Sequence, residues 1–139
     1  MTASAFFDSN IFLYAVSEHP DDIAKKQIAR DLIREVPFLV STQVLQEFIA
    51  VALNKPRLNV SEAGIDAFIE LFVPEQVVPM SLEIVTRSLE IRRKWKLSHW
   101  DASIIGAALQ SGCNILYSED LQHQQKIETP QIKNPFRRL

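Results

Sequence analysis

The chain has 139 residues, 47% of them hydrophobic and 23% charged, with a formal net charge of −2; that is the size and balance of one soluble globular domain, with no room for a second independent core. The charge excludes the wholesale basicity that marks many nucleic-acid binders, and a lone cysteine, Cys113, excludes an intrachain disulfide. The longest apolar run, from Ile104 to Leu109, falls far short of the ~20 residues of a membrane span.

The opening Met1-Thr2-Ala3-Ser4 carries neither a basic segment nor a long apolar stretch, so no secretory leader is expected and the cytoplasm is the default location. Ala5-Phe6-Phe7 reads as a short buried strand that ends at Asp8, with Ser9 and Asn10 as cap-type residues. A short helix is expected over residues 11–16, and Asp21 and Asp22 open a second through about Glu35. Acids at its start and Lys25, Lys26, Arg30 and Arg34 further on suit the helix dipole. Ala24, Ile28, Leu32 and Val36 form its buried stripe.

Pro37 stops that helix, Phe38-Leu39-Val40 reads as a second strand, and Ser41 and Thr42 cap a helix over residues 43–53. After the Lys55-Pro56-Arg57 loop, Asn59 or Ser61 caps another helix to about Phe72, followed by a strand at Val77-Val78. A helix is expected over residues 82–96 and one capped by Ser98 over residues 100–110, which Gly112 terminates. Asn114-Ile115-Leu116-Tyr117 is the fourth strand, and a weak edge strand is possible around Ile132. The whole of residues 1–139 is one domain, without repeat or linker.

Short apolar strands alternating with helices predict an α/β fold whose mostly parallel sheet is covered on both faces. Right-handed crossovers then bring every strand's carboxyl end to one edge, where ligands bind at a switch in strand order. Four acids map to that edge: Asp8, Glu47, Asp101 and Asp120. Each has an ordinary explanation. Asp8 fits a helix N-cap, and Glu47 lies at the margin of its helix's apolar stripe. Asp101 fits a capping box in which it reaches back to the Ser98 amide. It also shares one helical face with Ile104, Ile105 and Ala108, where a lone charge is costly. Asp120 is preferred over Glu119 because the strand ends near Ser118, whose hydroxyl is placed to orient it.

Together the four are harder to dismiss. Two carboxylates ~5 Å apart repel by roughly 3 kcal/mol at an effective dielectric of about 20, so several such pairs call for a cation. Oxygen-only donors suit Mg²⁺ or Mn²⁺ rather than zinc. His19, His99 and His123 compose no site, Cys113 reads as a buried thiol, and three glycines without a phosphate-loop pattern exclude a nucleotide-binding loop.

The ordered segments Phe7-Asp8-Ser9-Asn10-Ile11, Glu47, Trp100-Asp101-Ala102 and Leu116-Tyr117-Ser118-Glu119-Asp120 resemble the PIN-domain nucleases, and within them the VapC-type toxins of toxin–antitoxin pairs. The resemblance covers nearly the whole chain, with Ser118 where many members carry threonine. It implies a three-layer α/β/α sandwich and a homodimer. It also implies Mg²⁺- or Mn²⁺-dependent RNA cleavage and inhibition by a small VapB-like antitoxin protein. On that basis Asp8, Glu47, Asp101 and Asp120 are the metal-binding and catalytic acids, supported by Asn10 and Ser118. Arg92, Arg93 and Lys94 are candidates for contact with the RNA backbone, against the plainer reading of a solvated helix face. Competing functions are a non-catalytic RNA- or protein-binding module of the same fold and, with less in its favour, a phosphoacceptor signalling domain. An aspartyl-nucleophile phosphatase wants a second acid where Asn10 stands.

Overall fold

A computed structural model describes residues 4–137. Five strands form one sheet in the order β3-β2-β1-β4-β5, and every neighbouring pair is parallel. The strands are β1 (Ala5–Phe7), β2 (Phe38–Ser41), β3 (Val77–Val78), β4 (Ile115–Tyr117) and β5 (Gln131–Lys133). Six helices accompany them: α1 (Ser9–Val16), α2 (Ile23–Glu35), α3 (Thr42–Asn54), α4 (Glu62–Ile69), α5 (Leu82–Trp95) and α6 (His99–Gln110). This is the predicted three-layer α/β/α sandwich. The chain moves outward from β1 through β2 to β3, then returns to place β4 on the other side of β1, so the order reverses between β1 and β4. A crevice opens at such a point beyond the carboxyl ends of the two strands.

The centre of the sheet is buried because its residues are large and apolar. Phe6, Phe7, Val40 and Leu116 are all sealed from solvent. The Phe7 ring stacks on Phe38 with centroids 4.4 Å apart, and Phe12 meets Phe72 edge-on at 5.3 Å, in the range preferred by aromatic pairs. This packing anchors α1, and with it the loop after β1. The helices α5 and α6 pack against one another, with Gly106 set against Ser88 so closely that a methyl group there would lie 2.7 Å from the Ser88 hydroxyl.

Several boundaries differ from the expected ones for local reasons. Helix α1 begins two residues early, at Ser9, because Asp8 is its cap. The acids Asp21 and Asp22 sit in a 3-10 turn (Pro20–Asp22) ahead of α2. On α2, Ala24 is exposed; Ala29 is the buried residue, with Ile28 and Leu32 half-buried beside it and Val36 half-buried at the helix end. Asn59 takes a left-handed conformation (φ 52°) that closes a turn, leaving Ser61 to cap α4, which stops at Ile69 rather than Phe72. Lys96, also left-handed, ends α5 one residue early. Gly112, at φ 78°, ends α6 in a conformation that glycine adopts without strain.

Candidate active site

Asp8 stands at the end of β1 and is only 3% exposed. One oxygen, Oδ1, accepts from the Ser9 amide at 2.7 Å, so the ordinary capping role is real. The other, Oδ2, accepts from the Ser118 hydroxyl at 2.7 Å and more distantly from Asn10 Nδ2 at 3.5 Å. Asn10 ties the cluster together. Its amide nitrogen also approaches Ser118 Oγ at 3.4 Å and Asp120 Oδ2 at 3.2 Å, while its oxygen accepts from the Glu119 amide. A serine and an asparagine thus join the ends of β1 and β4 across the reversal in strand order. The Ser118 hydroxyl was expected to donate to Asp120. It donates instead to Asp8 and accepts from the Asp120 amide at 3.2 Å; Asn10 holds the Asp120 carboxylate.

Burial raises the Asp8 carboxyl to a pKa of about 6, against the lowering effect of its bonds from Ser118 and Ser9. The charges of Asp120 and Glu47 push it in the same upward direction as burial. Asp8, Asp120 and Glu47 are therefore electrostatic neighbours. Glu47 is part-buried on α3, and its Oε1 accepts from Gln43 Nε2 at 2.9 Å, one turn back on the same helix. Gln43 Nε2 also donates to the Trp100 carbonyl at 3.2 Å, which draws the first turn of α6 to the first turn of α3. Asp101 follows Trp100 directly. Only half of the expected capping box forms: Ser98 Oγ accepts from the Asp101 amide at 3.1 Å, and the Asp101 carboxylate accepts no hydrogen bond among the described residues.

Two observations bear on whether these residues fit a divalent cation. Among the described residues no three acid, histidine or cysteine side chains close into a ready cage. Yet the donors present are hard oxygens, and the Gln43 side-chain oxygen is buried without a hydrogen-bond partner beside Glu47. A carboxyl pushed up chiefly by burial and further by like charges, and an unmatched buried oxygen, both gain from a cation. The donor set is of the kind that suits a hard divalent ion.

The remaining candidates fall elsewhere. Glu119, the alternative to Asp120, is turned away from the cluster and held by Lys25 and Tyr14 at 2.6 Å each. Arg92, Arg93 and Lys94 lie exposed on the last turn of α5, where Lys94 pairs with Glu128 at 3.3 Å. Nitrogens of His19 and His123 accept backbone hydrogen bonds, and Cys113 is buried, with its thiol raised chiefly by that burial. Gln43, Tyr14 and Lys25 escaped the sequence reading. Gln43 had a signal, a polar residue four positions before Glu47 on one helix face. Tyr14 and Lys25 had none, since their partner is more than ninety residues away.

Comparison with solved structures finds the same fold repeatedly. A toxin–antitoxin complex from Klebsiella pneumoniae matches with a TM-score of 0.69 at 21% identity, covering 96% of this chain and 98% of that one. The DNA-bound VapBC of Salmonella typhimurium matches at 0.68 and 18% identity, covering 97% and 99%. The VapC20 toxin of Mycobacterium tuberculosis, which cleaves the sarcin–ricin loop, matches at 0.65 and 20% identity, covering 84% and 92%. At these identities the likeness establishes the fold. A comparison with curated protein sequences finds no match. The PIN-domain family profile matches residues 5–128, most of the sequence, and the chain therefore belongs to the PIN-domain family.

Proposed function

We propose that this chain is a Mg²⁺- or Mn²⁺-dependent endoribonuclease of the VapC type, the toxin of a type II pair, acting in the cytoplasm as a homodimer and restrained by a small VapB-like antitoxin. The observation that carries the reading is the Asp8–Ser118–Asn10–Asp120 network at the reversal in strand order, with Glu47 acting on Asp8. Membership of the PIN family supports it, as does the likeness to toxin–antitoxin structures. No described helix is long and apolar enough to cross a membrane.

In this reading Asp8, Asp101 and Asp120 hold the ion directly or through water. Glu47 either ligates it or accepts a proton from the attacking water through the oxygen that Gln43 leaves unbonded. When bound, a divalent cation supplies Lewis acidity, acidifying water and offsetting the charge that builds on the phosphate and leaving oxygen. Ser118 and Asn10 keep the Asp8 and Asp120 oxygens in fixed directions, so that little reorganisation is left for the reaction itself. The decisive assay is cleavage of RNA in Mn²⁺ or Mg²⁺. Activity that survives excess EDTA, or persists in Asp8→Asn and Asp101→Asn proteins, would sink the mechanism.

An apolar groove between α3 and α4, lined by Ile49, Leu53, Ile65 and Ile69 and edged by Glu62, Asp66 and Glu70, supports the antitoxin part of the reading. It suits an amphipathic helix with basic margins. Expression in a bacterial host is expected to arrest growth, and co-expression of a small protein encoded beside it to relieve the arrest. Arrest that Leu53→Glu does not free from that relief would count against the groove. On α5, exposed Leu82, Val85 and Leu89 recur on one face and support self-association; an unchanged sedimentation coefficient in Leu82→Glu would remove that support.

Among the described residues no three such side chains close into a ready cage, which favours one second reading, a PIN-fold module that binds RNA without cutting it. RNA binding with no turnover in Mn²⁺ distinguishes it.

A further inference from the structure

A cleft of 330 Å³ opens beside the acid cluster, lined by Asn10, Glu119 and Asp120 as well as by Lys55 and Arg57. Its size is at the small end of the roughly 300–1,000 Å³ typical of ligand sites. We infer that this cleft seats the nucleotide next to the reacting phosphodiester of a single-stranded RNA, its base against Tyr14 and its phosphate on Lys55 and Arg57. The inference rests on the ribonuclease reading and adds where the strand runs.

The chemistry of the walls matches a nucleotide part by part. Leu13, Val51 and Leu58 supply apolar surface for the flat body of a base. The Tyr14 ring stands beside them in a fixed attitude. Phe136 meets it edge-on at 4.9 Å, the Lys25 ammonium lies 4.7 Å from its centroid, and its hydroxyl bonds Glu119. A ring held in place stacks a base at little entropic cost.

Arg57 is oriented too. Two of its nitrogens donate to Asp22 at 2.8 and 3.1 Å, and Asp22 is buried and held in turn by Ser17 at 2.6 Å. The Arg57 side chain is still 47% exposed, and two of the guanidinium's five N–H groups suffice for Asp22, leaving donors for a phosphate. Lys55 is exposed and makes no ion pair among the described residues. By contrast, Lys25 is neutralised by Glu119 and Lys94 by Glu128. Among the described residues no other lysine or arginine lines the cleft.

The test measures binding of short, labelled, random-sequence single-stranded RNA to the Asp8→Asn protein by fluorescence anisotropy over a series of salt concentrations. Adding Lys55→Ala is expected to weaken binding several-fold and to lower the salt slope by about one, as one lost phosphate contact does. Lys55→Glu is expected to weaken it further. Tyr14→Leu is expected to cost about tenfold or more, and Tyr14→Phe, which keeps the ring but loses the hydroxyl bond to Glu119, to cost less. Lys55 is exposed at a helix end, so its variants are expected to fold, which circular dichroism checks. The cleft is overturned if Lys55→Glu leaves affinity and slope unchanged while joint replacement of Arg92, Arg93 and Lys94 by alanine abolishes binding. It is overturned equally if the cleft variants lose only the antitoxin, which would make this a protein-binding surface. Failure of the parent protein to bind RNA even at low salt would overturn the ribonuclease reading itself.

Discussion

Lys25 Nζ lies 2.6 Å from Glu119 Oε2, joining α2 to the loop that carries Asp120. Tyr14 closes the triangle, donating to the other Glu119 oxygen at 2.6 Å and accepting from Lys25 at 3.2 Å. The Glu119 hydrogen bond is the main reason the Lys25 pKa is raised, so the ammonium stays charged throughout the neutral range. One residue of the loop is clamped outward while the next, Asp120, is left to face Asn10. The clamp and the catalytic candidate sit on adjacent residues of one short loop.

Lys25→Met is accordingly expected to cost about 1 kcal/mol of stability, the upper range for a part-exposed ion pair, which is roughly 3 °C in Tm for a chain of this size. Its larger effect should fall on Asp120. We expect weaker Mn²⁺ binding by calorimetry and a lower kcat with KM little changed, both recovered by Lys25→Arg. An equal loss in Lys25→Arg would show that bulk stability, not loop placement, is at work.

Asp8 makes stability depend on pH in a stated direction. Its folded pKa of about 6 lies above its ordinary 3.8, so the folded protein binds the proton more tightly than the unfolded chain. The stabilisation from that proton is present at low pH and is lost as pH rises through 6. In EDTA, Asp8→Asn should remove this slope. It should also be more stable than wild type at pH 7.5, by at most about 3 kcal/mol, because asparagine caps α1 about as well as aspartate. Adding Mn²⁺ should raise the Tm of wild type and leave that of Asp8→Asn nearly unmoved. Urea midpoints at pH 5 and 7.5, with and without metal, check both statements.

The Asp22–Arg57 pair runs in the opposite direction. The Arg57 guanidinium lowers the Asp22 pKa, and the Ser17 hydroxyl adds to that against the cost of burial. Its stabilisation is therefore present at neutral pH and lost as pH falls through the depressed pKa. Arg57→Ala strands a buried carboxylate, so stability at pH 7 should fall while the loss on acidification becomes smaller. Acid unfolding followed by circular dichroism measures both.

Gly106 is required by packing rather than by its backbone. A methyl group there meets Ser88 Oγ at 2.7 Å, and that hydroxyl already donates to the Ile84 carbonyl. Overpacking of this kind typically costs about 1–3 kcal/mol, partly offset by the ~1 kcal/mol helix preference of alanine over glycine. Gly106→Ala should lower the urea midpoint, and Ser88→Ala should rescue it in the double variant. A pair of additive effects would remove the contact as the cause.

Much of this was legible without coordinates because it is encoded locally. The strands Ala5–Phe7 and Val77–Val78 are found where short apolar runs are bounded by turn and cap residues, and β2, α5 and α6 follow from caps and periodicity within a residue or two. Alternation of strand and helix was enough to predict a parallel sheet, since such connections cross over with one hand. Where the reading slipped, at Ala24 on α2 or at the end of α4, the burial of a face depended on what packs against it.

The site divides in the same way. Asp8 and Asp120 could be placed at the sheet edge from strand ends alone, and Asn10 and Ser118 from their company. The sequence by itself therefore determined that Asp8 and Asp120 follow strands whose carboxyl ends lie on one edge of the sheet. Only the tertiary structure decided that Asn10 holds Asp120, that Ser118 serves Asp8, that Glu119 belongs to Lys25, and that Lys55 and Arg57 rather than the α5 cations line the cleft beside Asp120. The physical reason is that these contacts join residues far apart in the chain. Side-chain reach of a few ångströms is set by how helices seat on the sheet, which no local propensity encodes.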